Sequence, residues 1–545
     1  MSAPGRAQTA VRRVLVYGIL FALIIVAAVG LSGLLERAVS GGVLAADEAG
    51  LARSLAFTVI GIPLAGVLWW WQRRRFADPA EKDSLVWALY VVAVSTIALV
   101  TATVALASTL TAAIEGRWDA GAFAVALVWA GVWVWHRAMR RSHVTGPTRL
   151  PTVAVTIGAV YGLAVLTVGA IGAVSALIGA ALAGAQPVLG ASQSWGIDAL
   201  QALAWAAIGG FVWWWHWYRD GGAAASGGFA QVALVVVFGA AAATTLFAVG
   251  TVLFVVLRLL FDVDPRADVL APLDVAIAAA LFGGIVWVSH AAVVAARPEG
   301  VRRGARLLVS GIALIGAASG FGVVVNALLA ALAPVIAGAD ARTLLLGGLS
   351  ALAVGAPVWW VAWRPAVAAS ADGVADRARR VYLVAIFGAS AVVAIVTLLL
   401  IGFRVFEFTL GAAVGGSLVE RVRAPLGLLS ATALVFGYHF AVWRHDRSIA
   451  RPETAPAVIR RVLLVASPDA AQLRLDVRAA TGAVVTILPT VPEDGGDALG
   501  DDDVPAVVAA VAGVAAPRAL VLRVDGDVRA IGLQDGPARE LGPAG

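Results

Sequence analysis

Cysteine is absent from this 545-residue chain, lysine occurs once, and charged residues as a whole are scarce. The lack of cysteine excludes structural disulfides, thiolate metal sites and cysteine catalysis. Charged residues make up 14% of the chain, whereas a soluble globular protein carries about 25%. Hydrophobic residues make up 61%, and the mean hydropathy is +0.89. These values exclude an ordinary soluble protein and indicate a membrane protein.

The short motifs of common enzyme classes are missing as well. The sequence has no glycine-rich phosphate loop ending in Lys-Ser or Lys-Thr, no His-Glu-x-x-His motif and no nucleophile elbow. We therefore expect a protein that is not an enzyme, with no catalytic residues, no cofactor, no bound metal and no nucleic-acid partner.

Long apolar runs dominate what is present. Runs longer than about 18 residues are long enough to cross a bilayer as helices, and helices are the expected spans because water is absent from the lipid core. The sequence predicts an all-α polytopic membrane protein with twelve transmembrane helices in six hairpins, followed by a small C-terminal α/β domain. The predicted spans are 12–38, 51–75, 83–114, 119–141, 151–184, 196–219, 228–262, 270–297, 302–336, 341–364, 376–411 and 419–446.

Each even-numbered helix ends in a tail of aromatic and basic residues. The densest copy spans residues 211–220, and its relatives have anchor positions at 69, 133, 213, 287, 359 and 440. Indole rings prefer the headgroup level of a bilayer, so we interpret the tails as an interfacial belt against the lipid. An aromatic cage for a cation or a headgroup is the alternative. The assigned belt residues are Trp69, Trp133, His136, Trp213, His216, Trp287, His290, Trp359 and Trp443.

Three histidines occupy equivalent positions in these tails. His136, His216 and His290 each lie three residues after an anchor tryptophan, where the first tail has Gln72. Three such residues could meet to hold a metal or ligate haem. Because no carboxylate or cysteine accompanies them, we interpret them as polar residues that bond to neighbouring helices or headgroups.

Ionisable residues inside spans are few and lie near helix ends. Such residues usually mark a transport path, so a shared polar cavity is one interpretation, and anchoring at the outer face is the other. The residues predicted to line this cavity are Arg258, Asp262, Asn326, Arg404 and Glu407.

The distribution of arginine predicts the orientation. The N-terminus, the loops after even helices and the stretch up to Arg451 hold 23 Lys or Arg, and the opposite side holds nine. The positive-inside rule then places both ends of the membrane domain in the cytoplasm. We expect a multi-pass protein of the cell membrane.

Composition changes after Pro452 and defines the predicted domains. Residues 1–11 form an N-terminal cytoplasmic tail, 12–447 the transmembrane domain, 448–458 a linker, 459–535 a cytoplasmic α/β domain and 536–545 a tail. The C-terminal domain is predicted to have the order β-α-β-α-β-β. Besides the lipid bilayer, we expect a membrane or cytoplasmic protein partner that contacts residues 459–535.

Several short motifs resemble those of a bacterial family of multi-pass membrane domains of unknown function. The family's unit is a tandem four-helix block with a basic start and Trp/His/Arg helix ends. The matching pieces are Arg12-Arg13 with Tyr17, Pro63 with residues 69–75, residues 83–90, residues 357–364, and Arg379-Arg380 with Tyr382. Pro63 and Pro357 have no counterpart in the fourth, sixth and eighth helices. The resemblance implies an architecture for residues 12–447 and no activity.

Two functions follow from these features. The first is a non-enzymatic scaffold or sensor that presents a cytoplasmic domain, indicated by the tandem repeats, the few buried polar groups and the appended domain. The second is a transporter or channel for a small or lipophilic solute, suggested by twelve helices and internal repeats.

Overall fold

The computed structural model describes residues 3–40, 47–184, 195–331, 341–368, 377–411, 417–449, 459–467, 470–489, 498–514, 516–524 and 526–533. The chain divides into two compact units, Met1–Trp443 and Arg444–Gly545. Within the described residues, twelve helices are long and apolar enough to cross a membrane. A small four-stranded sheet follows them. The predicted fold class is therefore confirmed.

The twelve helices form three blocks of four. Block 1 contains α1 (Ala3–Val39), α2 (Glu48–Arg75), α3 (Leu85–Ile114) and α4 (Ala120–Arg141). Block 2 contains α5 (Val153–Gly184), α6 (Trp195–Trp214), α7 (Gly228–Phe261) and α8 (Leu273–Ala295). Block 3 contains α9 (Glu299–Ala331), α10 (Ala341–Ala368), α11 (Arg377–Thr409) and α12 (Leu418–Ile449). A π-helical turn, Trp215–Arg219, continues α6.

Each predicted span overlaps one of these helices. Aspartates cap two of the starts: the Asp47 and Asp119 side chains accept hydrogen bonds of 2.8 Å from the backbone N–H groups of Gly50 and Ala122. Helix α1 begins at Ala3, ahead of the predicted start at Arg12, so most of the predicted N-terminal tail is helical. Residues 332–336 of the predicted ninth span lie outside the described residues.

The three blocks share one packing plan. The first helix of each block contacts the other three: α1 in block 1, α5 in block 2, and α9 in block 3. Between blocks, the third helix of one block contacts the first two helices of the next, so α3 packs on α5 and α6, and α7 packs on α9 and α10. Each block thus repeats the plan of the block before it.

Glycine allows the closest approach between helices α5 and α6. A Cβ atom added at Gly209 would lie 2.2 Å from the backbone nitrogen of Leu166, and one added at Gly162 would lie 2.4 Å from that of Trp213. Helices in a membrane associate through such small residues because apolar side chains gain nothing by leaving lipid for protein. The backbone contact therefore sets the spacing of this hairpin.

The C-terminal unit is a small α/β domain. It contains β1 (Arg461–Ala466), α13 (Ala471–Thr481), β2 (Val484–Pro489), α14 (Val504–Ala512), β3 (Arg518–Val524) and β4 (Asp527–Leu533). The sheet order is β2-β1-β3-β4, with β1, β2 and β3 parallel and β4 antiparallel to β3. The two helices bury Leu473, Val477, Val507 and Val511 in one core with β1 and β3. The predicted element order is confirmed, while residues 490–497 of the acidic loop lie outside the described residues.

Substitution of Gly209 tests the backbone contact between α5 and α6. In Gly209→Ala the added methyl group must push the helices apart, so we expect a lower Tm in detergent and a loss of about 1–3 kcal/mol, as in overpacked cores. The matched control is Gly131→Ala in α4, because a Cβ at Gly131 meets no atom within 4 Å. Equal losses of Tm in the two variants would contradict the packing argument.

Candidate functional site

Four histidines share one geometry at the aromatic end of the bundle, the end that carries the tails. His136, His216, His290 and His439 are buried. Each follows a valine by four residues, and each Nδ1 lies 2.8 or 2.9 Å from that valine's carbonyl oxygen. A carbonyl accepts only, so Nδ1 carries the proton and Nε2 remains an acceptor. This geometry places Phe436, three residues before His439, at the anchor position of the sixth tail instead of Phe440.

The blocks differ in what lies beside the second ring nitrogen, Nε2, of the histidine. In block 1, the Tyr90 hydroxyl lies 3.2 Å from His136 Nε2 and donates to it. In block 3, Tyr382 lies at the equivalent position of α11, its ring 6.1 Å from that of His439, but its hydroxyl bonds to Ser310 at 3.1 Å. In block 2 the equivalent residue is Leu234, and it lines a cavity of about 30 Å³ beside His290. One water molecule needs roughly half this volume.

The predicted belt residues lie mostly between helices. The anchor rings are half-buried and pack on rings of neighbouring helices, for example Trp69 on Trp87 at 6.1 Å and Trp359 on Tyr438 at 5.6 Å. Trp287 packs on Phe238 at 6.2 Å, Trp443 on Phe387 at 5.5 Å and Trp133 on Trp215 at 6.4 Å, whereas Trp213 lies 5.7 Å from Tyr218 of its own tail. The exposed tryptophan rings of the tails are other members of the same segments: Trp70, Trp71, Trp135, Trp214 and Trp360.

Arginine guanidinium groups lie over two of these exposed rings. The guanidinium of Arg74 lies 3.6 Å from the centre of the Trp70 ring, and that of Arg75 lies 3.9 Å from that of Trp71. Both distances are within the range of cation–π attraction. The belt interpretation therefore applies best to these neighbours of the anchors.

Glu81 is the buried carboxylate of block 1. It follows α2 in a short helical turn, Pro79–Lys82, and is 2% exposed. Its oxygens accept hydrogen bonds from Arg13 at 2.9 Å, Tyr17 at 3.0 Å, Gln72 at 2.9 Å and Arg12 at 3.3 Å. Burial opposes ionisation of Glu81, but the hydrogen bonds from Arg13 and Tyr17 outweigh it, so its pKa is lowered. The carboxylate ties α1 to the end of α2.

Asp220 is the corresponding carboxylate between blocks 1 and 2. The π-helical turn ends where its backbone N–H donates to the Trp215 carbonyl at 2.9 Å. Its side chain is 1% exposed and pairs with Arg137 at 2.7 Å, Arg140 at 3.0 Å and Arg141. Burial raises the pKa of Asp220, but the hydrogen bond and charge of Arg137 and the charges of the other two arginines lower it below its ordinary value. Three helix-end arginines thus share one acid.

The residues predicted to line a polar cavity fall into three separate groups. Arg258 pairs with Asp262 at 2.7 Å, and the Thr343 hydroxyl donates to Asp262 at 3.2 Å. Arg404 pairs with Glu407 at 3.6 Å. Asn326 Oδ1 accepts from Arg423 at 3.3 Å. The two ion pairs each lie at the end of a single helix, whereas the hydrogen bonds of Thr343 and Asn326 join neighbouring helices.

The chemistry of this arrangement is one of hydrogen bonding and ion pairing. Among the described residues, no group of three or more His, Cys, Asp or Glu side chains could hold a metal ion. Each of the four buried histidines has its Nδ1 already bonded to a carbonyl of its own helix. Glu81 and Asp220 are saturated with donors from other elements. The two carboxylates fix neighbouring helices to one another.

The sequence interpretation missed both carboxylates and the π-helical turn. One signal was available: Arg137, Arg140 and Arg141 are three or four residues apart and therefore share a face of α4. Such a face of like charges requires a counterion, and Asp220 is the acid in the next aromatic tail. For Glu81, the basic residues that pair with it have no comparable spacing in the sequence.

Comparison with known families gives one match. A family model described as "Domain of unknown function (DUF5671)" matches residues 13–131, 152–285 and 303–434, which together cover more than half of the chain. Each match covers most of one four-helix block. The predicted resemblance to a repeat family of unknown function is thus confirmed. No curated protein and no solved structure matches the chain.

Replacing Asp220 tests the ion cluster. Asp220→Asn leaves three arginines without a counterion, and loss of one partner of a buried pair costs about 3–5 kcal/mol. We expect a large fall in Tm near neutral pH. Because the folded pKa lies below the ordinary value of 3.8, the contribution of Asp220 is fully present above that pH and is lost as pH falls below it. The Tm difference from the native chain should shrink accordingly in acid.

The matched control is Asp83→Asn. Asp83 pairs with Arg149 at 3.4 Å but is 60% exposed, and exposed pairs contribute about 0–1 kcal/mol. A loss of Tm as large as that of Asp220→Asn would show that burial is not what makes the cluster matter.

Proposed function

Since the chain belongs to the DUF5671 family, whose function is unknown, its role has to be argued from its own structure, and we propose a non-enzymatic scaffold or sensor. In this proposal the membrane domain holds the α/β domain, residues 459–535, at the cytoplasmic face of the cell membrane. There the domain binds a membrane or cytoplasmic protein partner.

The observation that carries the proposal is the use of buried polar groups. Glu81, Asp220 and the four buried histidines bond to neighbouring helices or to their own backbone. A cavity of about 240 Å³ between α7, α9 and α10 is lined by apolar residues with Thr251 and Ser350, and by no ionisable group. Transport paths for polar solutes depend on charges near the midplane. The membrane domain is thus better suited to holding a fixed structure.

The exposed surface of the C-terminal domain supports a protein partner. Among its described residues, large hydrophobic side chains are exposed at Leu475, Val484, Leu488 and Ile531. Three of these four lie on β2 and α13. Strand β2 is at one edge of the sheet, and the edge of a sheet offers backbone groups that can pair with another chain.

The orientation rests on the distribution of charge. The 23 basic residues at the aromatic end, against nine at the other, place that end in the cytoplasm by the positive-inside rule. The α/β domain follows α12 in the sequence, so the same rule assigns it to the cytoplasm.

Reporter fusions test this orientation. A reporter fused after Ala225 or Pro298, in loops that follow even helices, should be active only as a cytoplasmic reporter. The same reporter after Arg117 or Asp264, in loops that follow odd helices, should behave as an exported one. The reverse pattern would move the α/β domain out of the cytoplasm and overturn the proposal.

Complementation distinguishes the scaffold from the transporter. In a strain that lacks this protein, the full chain should restore whatever property the deletion changes. A chain ending at Ala450 should insert in the membrane but fail, because it cannot bind the partner. If it succeeds, the activity lies in the membrane domain and transport becomes the better explanation.

A point substitution sharpens this comparison. Val484 on β2 is 58% exposed, and Ile531 on β4 is 50% exposed. Val484→Asp should abolish complementation by placing a charge on the proposed partner surface, whereas Ile531→Asp should retain it. Equal expression of the two variants is the control for folding.

A further inference from the structure

The two junctions between blocks have equivalent positions but different chemistry. His136 in α4 corresponds to His290 in α8, and Trp213 in α6 corresponds to Trp359 in α10, because these residues lie at the same place in their tails. This correspondence aligns the junction of blocks 1 and 2 with the junction of blocks 2 and 3, residue by residue.

The first junction is filled and charged. The Trp133 and Trp215 rings lie 6.4 Å apart, and the Arg137 guanidinium lies 5.0 Å from the Trp215 ring centre. Behind them, Asp220 pairs with Arg137, Arg140 and Arg141. These side chains occupy the space between the two blocks.

The second junction has a tryptophan at the position of Trp133, but small apolar residues at the other corresponding positions. Trp287 corresponds to Trp133, but the positions of the three arginines hold Ala291, Val294 and Ala295, and those of Trp215 and His216 hold Val361 and Ala362. All six of these residues line a groove of about 550 Å³, together with Phe238, Pro357 and residues of α9. Small apolar side chains have replaced large polar ones, and the space is left open.

Two arginines stand at this groove. Arg302 and Arg306, one turn apart on α9, are both among its lining residues and both exposed. Arg302 pairs with Glu299, which also pairs with Arg303 at 3.4 Å. The groove therefore combines an apolar wall with cationic groups at the aromatic end of the bundle.

We propose that this groove binds an anionic phospholipid. One acyl chain lies along the apolar wall formed by Trp287, Ala291 and Ala362, and the phosphate group accepts hydrogen bonds from Arg302 and Arg306. The guanidinium group donates in a fork that matches phosphate oxygens. Basic pockets between transmembrane helices bind anionic headgroups in this way, and the bilayer supplies such a molecule beside the groove. The lipid takes the volume that Trp215 and the arginines take at the first junction.

Retention of lipid tests the site. The purified full chain is reconstituted in vesicles of equal phosphatidylglycerol and phosphatidylcholine, extracted in mild detergent, and its bound lipid is measured by native mass spectrometry. We expect about one tightly held phosphatidylglycerol per chain and little phosphatidylcholine. In the double variant Arg302→Gln, Arg306→Gln, retention should fall about thirty-fold, since each arginine near the membrane surface contributes about 1 kcal/mol.

A second variant tests the apolar wall independently of charge. Ala291→Trp fills the groove and leaves both arginines in place, so it should also release the lipid. The matched control is the double variant Arg74→Gln, Arg75→Gln, which removes two arginines from the same end of the bundle but away from the groove. Tm and elution volume report whether each variant is folded.

Three outcomes would overturn the proposal. Equal retention of phosphatidylcholine and phosphatidylglycerol would remove the role of the arginines. Retention of phosphatidylglycerol by Ala291→Trp would place the lipid elsewhere. Loss of a dimer in Ala291→Trp, with lipid unchanged, would show that a second copy of the chain covers the groove.

Discussion

The bilayer offers no water to a buried polar group, and this constraint governs the membrane domain. The histidines illustrate this constraint. Each of the four donates a hydrogen bond from Nδ1 to a carbonyl of its own helix: His136, His216, His290 and His439. The carboxylates of Glu81 and Asp220 accept hydrogen bonds from donors on other helices. The bonds of the two carboxylates tie the ends of different helices together at the level where the aromatic rings lie.

The three four-helix blocks share one packing arrangement but differ in the residues at a few positions. The three blocks share the central first helix and the buried histidine, but they differ at Tyr90, Leu234 and Tyr382 and at the two junctions. One junction closes with Trp215 and an ion cluster. The other opens into a groove lined by small apolar residues. A scaffold that must remain fixed yet respond to its membrane would benefit from one rigid junction and one that a lipid completes.

Much of the architecture could be predicted from the sequence, because apolar length and terminal aromatic residues are local signals. The twelve spans overlap the twelve helices, and the strand order of the C-terminal domain follows its alternating runs. The predicted sites fared differently. The anchor rings, such as Trp69 and Trp359, pack between helices, while their neighbours Trp70 and Trp360 face outward. Which face of a tail turns inward depends on how neighbouring helices pack, and hydropathy carries no information on this.

The sequence by itself determined that this is a multi-pass helical membrane protein with an appended α/β domain, since burial in lipid requires long apolar helices whatever their arrangement. Only the tertiary structure decided which polar groups meet. Asp220 lies about 80 residues from its arginines, and Glu81 about 70 from Arg12 and Arg13. Such pairs form because folded helices bring distant ends together, and the same packing leaves the junction of blocks 2 and 3 open. The groove is a property of that packing, because Ala291 and Ala362 are unremarkable alanines until their helices lie side by side.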